Sequence, residues 1–516
     1  MSLQCGLFLA MLGFYLFTGS REEVWGDPKA VYKVAQRWVN DDKLDIGYAW
    51  PLGARPAPDG KFYSPYPVLP SIVDYPAARL EKKVKREWKP GLALTDPLGI
   101  HVASAICGAL TCLLFFRICR RLGVSVPVAG GSTLVLGVAT MIWPYARDPF
   151  SEMLQTACFT GFAGSLLAVA DSPRRLHAVA LGAWAGLLIN TKQIYAVALL
   201  GAAVFLVVLL RKDLRRLAWT ALLGAAAFAP FVWLAVSYNL MRLGTVVDTA
   251  AASNAPLFTE RVFYGLLGFL ASPGKSVFLY SPPLLAALFG VPRLWREHRV
   301  AAIALACAAV PVVLVYAKHV MWNGDQAWGP RYLVFLHPVA MVPFALLVQA
   351  GLRRWQKLAV GLLVAGGLAV QILGSVFWRG HWIGMARTVN EIWLGRANVS
   401  ASVQEPCMAC FEHHYGTVWL PPFQAIEGHF WLLRHIIAGD DYAAADEDAP
   451  WRRYTNLRFD LAGPYDRVRI DWWALLWMKD HPELAGAGRI VLGAELALLA
   501  AGAFLWARRA RWRDAA

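Results

Sequence analysis

A dozen largely uncharged apolar runs, most of them 16–21 residues long, constrain this chain more than any other feature. About 20 apolar residues in a helix match a hydrocarbon core about 30 Å thick. The runs lie near residues 3–18, 98–116, 125–143, 152–170, 177–190, 194–210, 217–237, 276–291, 300–317, 332–350, 358–377 and 488–507. Of the 516 residues, 57% are hydrophobic and 16% charged. Soluble proteins carry about 25% charged residues, so a water-soluble enzyme is excluded. A disordered chain is excluded as well, since it lacks apolar residues. The reading is an all-α polytopic membrane protein with about 12 transmembrane helices.

Short loops set the orientation, because cytoplasmic ones retain Lys and Arg. Alternate loops carry Arg117, Arg120 and Arg121; Arg174 and Arg175; Arg211, Lys212, Arg215 and Arg216; Arg293, Arg296 and Arg299; Arg353, Arg354 and Lys357; Arg508, Arg509 and Arg511. With a cytoplasmic N-terminus, all six fall on the cytoplasmic side. They absorb much of the net charge of +15 without any nucleic acid. The first span has no basic leader and no clear Ala-x-Ala site before Arg21, so it reads as retained rather than cleaved. Eight scattered cysteines do not make a disulfide scaffold; Cys5, Cys107, Cys112, Cys119 and Cys307 lie in apolar runs as small hydrophobes.

The expected division is a core over 1–377 containing a first outer loop at 19–97, an extracytoplasmic segment at 378–487, and a last span with a basic tail at 488–516. Shorter outward polar segments fall at 144–151, 238–275 and 318–331. The first loop carries Lys82, Lys83, Lys85, Arg86 and Lys89, a pattern read as an exposed helix or as an interfacial one meeting anionic headgroups.

Candidate chemistry sits at the outer ends of spans. Asp27, just beyond the first span, fits a base at the water–lipid boundary. It equally fits a helix cap, with Pro28 at the first helical position, and the two roles are compatible. Arg147, Asp148 and Glu152 follow the third span, where acidic residues also complement a helix dipole. The 177–190 run rises only about 21 Å, which places the turn Asn190-Thr191-Lys192-Gln193 below the outer surface. An ionisable residue there is a functional candidate, and Lys192 suits a lipid phosphate or snorkels to the interface. Two further turns carry Lys275 (Ser272-Pro273-Gly274-Lys275) and Asp325 with Arg331 (Trp322-Asn-Gly324-Asp325 to Gly329-Pro330-Arg331-Tyr332). Cys407, Cys410, His413 and His414 have zinc-ligand types, though an outer-face disulfide competes.

In their order these motifs resemble the integral-membrane GT-C glycosyltransferases that use polyprenyl-phosphate sugars. The chain is most similar to the branch related to lipopolysaccharide galacturonosyltransferases, protein O-mannosyltransferases and the lipid A aminoarabinose transferase. Asp27 resembles the Asp opening the first periplasmic loop, and Asp59-Gly60 to Tyr63-Ser64-Pro65-Tyr66-Pro67 resembles "dG-x-x-YS-x-x-P". Arg147-Asp148 to Glu152 resembles the outward acidic turn, Thr191-Lys192 the "T-K/R" turn, Ser272 to Pro282 "SPGKG-x-x-x-YSP", and Trp322 to Tyr332 "W-x-G-x-x-x-GPRY". The match covers 1–350. The chain differs in having Pro28 where Glu often follows the Asp, and Pro65-Tyr66-Pro67 where His-Pro-Pro often follows Tyr-Ser.

The resemblance implies an inverting transfer of a sugar from a polyprenyl-phosphate donor to an acceptor hydroxyl at the periplasmic face of a bacterial inner membrane. The acceptor is a glycan, lipid or protein. A departing phosphodiester needs no general acid, unlike a glycoside. It needs a base on the acceptor and cations on the phosphate. The resemblance assigns Asp27 as base; Lys192, Arg331, Lys275, Arg147 and Tyr63 to the donor phosphate; and Asp148, Glu152, Tyr66 and Asp325 to sugar or acceptor. No metal or other cofactor is expected. A transporter or lipid flippase is the alternative, although repeats and midplane sites are absent from the sequence. A scaffold with a partner-binding outer tail is a third reading.

Overall fold

The computed structural model describes residues 3–20, 26–48, 56–87, 100–246, 257–324, 327–378, 382, 385–386, 415–439, 449–453, 470–480, 482 and 485–513. Among them the protein is helical, without a strand. Eight helices are long and apolar enough to cross a membrane, and three shorter apolar ones accompany them. The chain is an integral membrane protein.

Helix α1 (Leu3–Phe17) leads to two amphipathic helices, α2 (Asp27–Asp41) and α3 (Val68–Glu87). α2 and α3 pack together through Tyr32, Ala35 and Ala78, while Ala30 and Val34 bury Ile46 in the intervening loop. Tyr32 donates to Glu81 Oε2 at 2.5 Å, and Ser71 donates to the Val31 carbonyl at 2.9 Å. The basic run expected to face headgroups is described only in part: Lys82 and Lys83 are exposed on α3.

The core follows as α4 (Ile100–Arg121), α5 (Val126–Val138), α6 (Ile142–Ala146), α7 (Glu152–Asp171), α8 (Arg175–Thr191), α9 (Ala196–Leu210) and α10 (Leu214–Leu243). α7 is buried on almost every face, as an all-round apolar helix at the centre of a bundle should be. Its threonines are satisfied internally: Thr156 and Thr160 donate to the carbonyls of Glu152 and Thr156. α8 crosses α10 so closely that a Cβ on Gly182 would lie 2.1 Å from the Gly224 carbonyl oxygen. Small residues permit such contact between helices that gain nothing from the hydrophobic effect in lipid.

Beyond α10 come α11 (Val262–Ala271), α12 (Arg299–Lys318), α13 (Arg354–Val376), α14 (Ala425–Ala438) and α15 (Ala485–Arg513). α15 returns to pack along α1, where a Cβ on Gly502 would lie 2.2 Å from the Ala10 backbone nitrogen.

Two expectations change. The run at 276–291 is not one helix but three short ones, Val277–Tyr280, Pro283–Leu288 and Val291–Glu297. Pro282, Pro283 and Gly290 interrupt it, and proline lacks the N–H needed to continue a helix. Breaks at this depth persist only inside protein. The run at 332–350 is one helical segment, Arg331–Gln349, that opens as a 3-10 helix over Arg331–Leu336. His337 ties it to the broken run, with Ser281 Oγ at 2.9 Å from Nε2 and the Leu333 carbonyl at 2.9 Å from Nδ1. Finally, 238–275 is not wholly polar, because it contains α11, which at 10 residues rises only about 15 Å.

Candidate functional site

The polar ends of distant helices meet at one place. Asp27 opens α2 but does not cap it: the N-cap residue is Gly26, at φ +66°, and no side chain satisfies the cap. The Asp27 carboxylate is turned to tertiary partners. Its Oδ2 lies 3.2 Å from Arg331 Nη1, and its Oδ1 accepts the Tyr66 hydroxyl. Burial, then the adjacent carboxylate, raises the Tyr66 hydroxyl well above its ordinary range. Tyr66 is therefore a fixed donor at neutral pH.

Arg331 follows Gly329 (φ +61°) and Pro330, which turn the chain sharply before the short helix it begins. Its Nε is 3.9 Å from Oε1 of Glu152, the first residue of α7. The Asp27 side chain is 30% exposed, against 11% for Arg331 and 6% for Glu152. A ligand therefore reaches Asp27 first.

Lys192 ends α8, which at 17 residues is three longer than expected and starts from Arg175. Even so it rises only about 26 Å, short of a bilayer core. The Lys192 Nζ lies 4.5 Å from the Tyr332 ring centroid and 5.3 Å from that of Tyr316, two rings stacked 4.7 Å apart. The Arg331 guanidinium is 5.1 Å from the same Tyr332 ring and 5.5 Å from Phe150. Two cations thus share one aromatic ring, each gaining cation–π attraction. Glu152 is the nearby negative charge acting on both.

His319, just past the end of α12, packs edge-on against Tyr332 with centroids 5.9 Å apart. Burial, then the Lys192 and Arg331 charges, lower it to about 4, so it is neutral beside them at pH 7. Its Nδ1 accepts the Met321 N–H at 3.0 Å.

The other expected residues are placed elsewhere. Lys275 gives its ammonium to the Ala327 and Gly329 carbonyls at 2.8 and 3.2 Å, holding the loop that presents Arg331. Arg147 is buried in an ion pair with Asp471, Nη1 to Oδ2 at 3.0 Å, and also donates to the Thr18 and Asp471 carbonyls. Asp148 is buried beside Arg147 in a second small cleft, with Trp328 and Asp471. Tyr63 donates to Asp59 at 2.9 Å near the surface, and its hydroxyl is pushed up to about 12 by burial and by Asp59. Asp59 is held below its ordinary range, first by the Lys61 backbone N–H. Asp325 lies outside the described residues, as do Cys407, Cys410, His413 and His414. Among the described residues, no three His, Cys, Asp or Glu side chains converge to hold a metal ion.

Arg242, near the end of α10, went unnoticed in the sequence. Its buried guanidinium donates to the Ser64 and Tyr66 carbonyls at 3.2 and 3.5 Å, and to Asn239 Oδ1. It anchors the loop that carries Tyr66. A lone Arg after a 20-residue apolar run is the only signal, and it also reads as an interfacial anchor.

Architecture and site together define a polytopic helical membrane protein with a charged pocket where helix ends meet. Among solved structures, the chain is similar to ArnT from Cupriavidus metallidurans bound to undecaprenyl phosphate. That similarity has a TM-score of 0.50 and 16% identity over 90% of this chain and 83% of that one. The oligosaccharyltransferase AglB from Archaeoglobus fulgidus, in complex with an inhibitory peptide and a dolichol-phosphate, aligns at a TM-score of 0.49 and 12% identity, over 82% of this chain and 60% of that one. At these identities only the fold is established, and that by the first. No protein-family model matches the chain, and no curated protein sequence matches it.

Proposed function

We propose that the protein is an inverting glycosyltransferase that moves a sugar from a polyprenyl-phosphate donor to an acceptor hydroxyl. One observation carries the reading: Lys192 and Arg331 both approach a single ring, Tyr332, while Arg331 also pairs with the most exposed carboxylate of the pocket, Asp27. Two cations gathered at one ring suit an anionic phosphate held between them. The undecaprenyl phosphate held by the ArnT structure is a ligand of that chemistry.

In this reading the donor phosphate competes for Arg331 and loosens its pairing with Asp27. The freed carboxylate takes the acceptor proton as the acceptor oxygen bonds to the sugar's anomeric carbon. The bond from that carbon to the phosphate oxygen breaks, and the electron pair leaves with the phosphate. Lys192 and Arg331 neutralise the departing charge, so no general acid is required. Tyr66 steers the Asp27 carboxylate, Glu152 holds both cations, and Lys275, Arg147 and Arg242 are positioning residues. Nothing in this scheme draws on a metal.

The pocket lies where α7 begins and α8 ends, at helix ends rather than the mid-helix depth used by transporters. That favours an enzyme over a flippase. The basic loops support cytoplasmic termini and an outward-facing pocket, and the sequence resemblance supports the periplasmic face of a bacterial inner membrane. The unit division follows the sequence, with Asp27, Glu152, Lys192 and Arg331 all within 1–377. Membrane vesicles holding the protein, supplied with polyprenyl-phosphate sugars and a cell-envelope extract as acceptor, test the reading. Release of polyprenyl phosphate that depends on acceptor supports it. Translocation of the intact lipid without cleavage would replace it with the flippase reading.

A further inference from the structure

A narrow cleft lies beside Asp27, walled by α2, α3, α4 and the turn into α7. Asp27 and Tyr66 line it together with Asp74 of α3, Ser104 of α4 and Ser151 of the turn into α7. Asp74 is 7% exposed, and its carboxyl makes no hydrogen bond or ion pair with the described residues. Burying a carboxyl without a partner costs several kcal/mol, so the group calls for a ligand. Ser104 is equally buried, at 6%, and its hydroxyl also lacks a protein partner. Most of the remaining wall is apolar, including Val31, Val73 and Leu154. Among the described residues no Lys or Arg lines the cleft.

We infer that this cleft is the acceptor subsite, and that Asp74, together with Ser104, selects a neutral, hydroxyl-rich head group by accepting a hydroxyl next to the one Asp27 deprotonates. The inference rests on the glycosyl-transfer reading. Charge decides the class: a phosphate or carboxylate on the acceptor would meet the Asp27 carboxylate and no cation, whereas a sugar hydroxyl can donate to Asp27 and exchange hydrogen bonds with the neutral Asp74 carboxyl, which burial raises well above the usual carboxylate range. The free space is about 30 Å³. At about 10–15 Å³ per water-sized atom, that admits a hydroxymethyl-sized projection and not a whole ring. The acceptor therefore enters by an edge, with its apolar C–H face on Val31, Val73 and Leu154. The arrangement also separates the substrates: the donor phosphate approaches Asp27 from Arg331 and Lys192, and the acceptor from the opposite, cation-free side.

The full chain held in amphipol tests this by calorimetry, with octyl glucoside as the neutral hydroxylated probe, octyl phosphate as the anionic one, and undecaprenyl phosphate for the donor side. Octyl glucoside and octyl phosphate are titrated with undecaprenyl phosphate saturating the donor side, and wild type is then expected to bind octyl glucoside and not octyl phosphate. Asp74→Leu should weaken octyl glucoside at least tenfold, and Ser104→Val at least threefold, with undecaprenyl phosphate affinity unchanged in both. Should Asp74→Leu lose undecaprenyl phosphate as well and so prove misfolded, Ser104→Val decides. Unchanged octyl glucoside affinity in the folded variants, or octyl phosphate binding as tightly as octyl glucoside, overturns the assignment. A wild type that binds octyl glucoside but not undecaprenyl phosphate instead removes the glycosyl-transfer reading and leaves the cleft as a polyol site.

Discussion

Asp27 and Arg331, 304 residues apart in sequence, form an ion pair at 3.2 Å across the mouth of the pocket. The pair couples the two halves of the proposed reaction. While Arg331 is held by Asp27 and Glu152, its charge is partly spent, and the carboxylate that would act as base is engaged. A phosphate that draws Arg331 away prepares both groups in one event.

Replacing that carboxylate separates chemistry from binding. Asp27→Asn keeps the shape and the Tyr66 contact but cannot take a proton. Turnover in vesicles is expected to fall about 10²–10⁴-fold, the usual contribution of a positioned base. Undecaprenyl phosphate affinity should hold or rise, since Arg331 loses a competitor. Full turnover in the variant would exclude Asp27 as base.

Lys192 makes the complementary case. Its ammonium rests on Tyr332 and Tyr316 and forms no ion pair among the described residues, which leaves it available to an anion. A charged hydrogen bond contributes about 1.5–3 kcal/mol, so Lys192→Ala should weaken undecaprenyl phosphate binding about 10–100-fold. Octyl glucoside binding should be untouched. An unchanged lipid-phosphate affinity would remove Lys192 from the donor site.

The sequence exposed these groups because each lies where a long apolar run stops, and Asp27, Glu152, Lys192 and Arg331 all stand at such ends. Hydropathy reports where charge enters a membrane protein. It does not report which charge faces which, so Arg147 and Lys275 looked equivalent to Arg331 until their partners were seen. Arg147 is matched by Asp471, 324 residues away, and Lys275 by backbone carbonyls that carry no residue-type signature. The breaks at Pro282, Pro283 and Gly290 escaped for a related reason: apolar residues fill both sides of each break, and the mean over a window hides them. Asp74 was passed over because one acid on an amphipathic helix looks solvated until the packing of α2 and α4 encloses it.

The Arg147–Asp471 pair gives a test of position against binding. Both side chains are under 5% exposed, and Ser20 adds a hydrogen bond to Asp471 Oδ2 at 2.6 Å. Removing one partner strands a buried charge, at about 3–5 kcal/mol. Asp471→Ala should therefore lower the melting temperature in detergent markedly. Arg147→Lys should recover little of that stability, because a lysine cannot reproduce the guanidinium's fork to Asp471 and Thr18. A stable Arg147→Lys protein that loses only undecaprenyl phosphate binding would instead return Arg147 to the donor site.

His319 sets the pH dependence of the pocket's stability. In the folded protein it takes up a proton only near pH 4, because burial and the flanking Lys192 and Arg331 disfavour a third cation. In the unfolded chain it does so near its ordinary value of about 6.5. Between these values the unfolded chain binds more protons, so folding stability falls as pH drops from about 6.5 towards about 4 and is complete above that window. Thermal melting in detergent at steps from pH 7 to pH 4.5 should show this decline. His319→Gln, which offers a side-chain oxygen to the Met321 N–H in place of Nδ1, should flatten it while leaving stability at pH 7 nearly unchanged. A decline equally steep in the variant would assign the acid sensitivity to other groups and place His319 outside the field of Lys192 and Arg331.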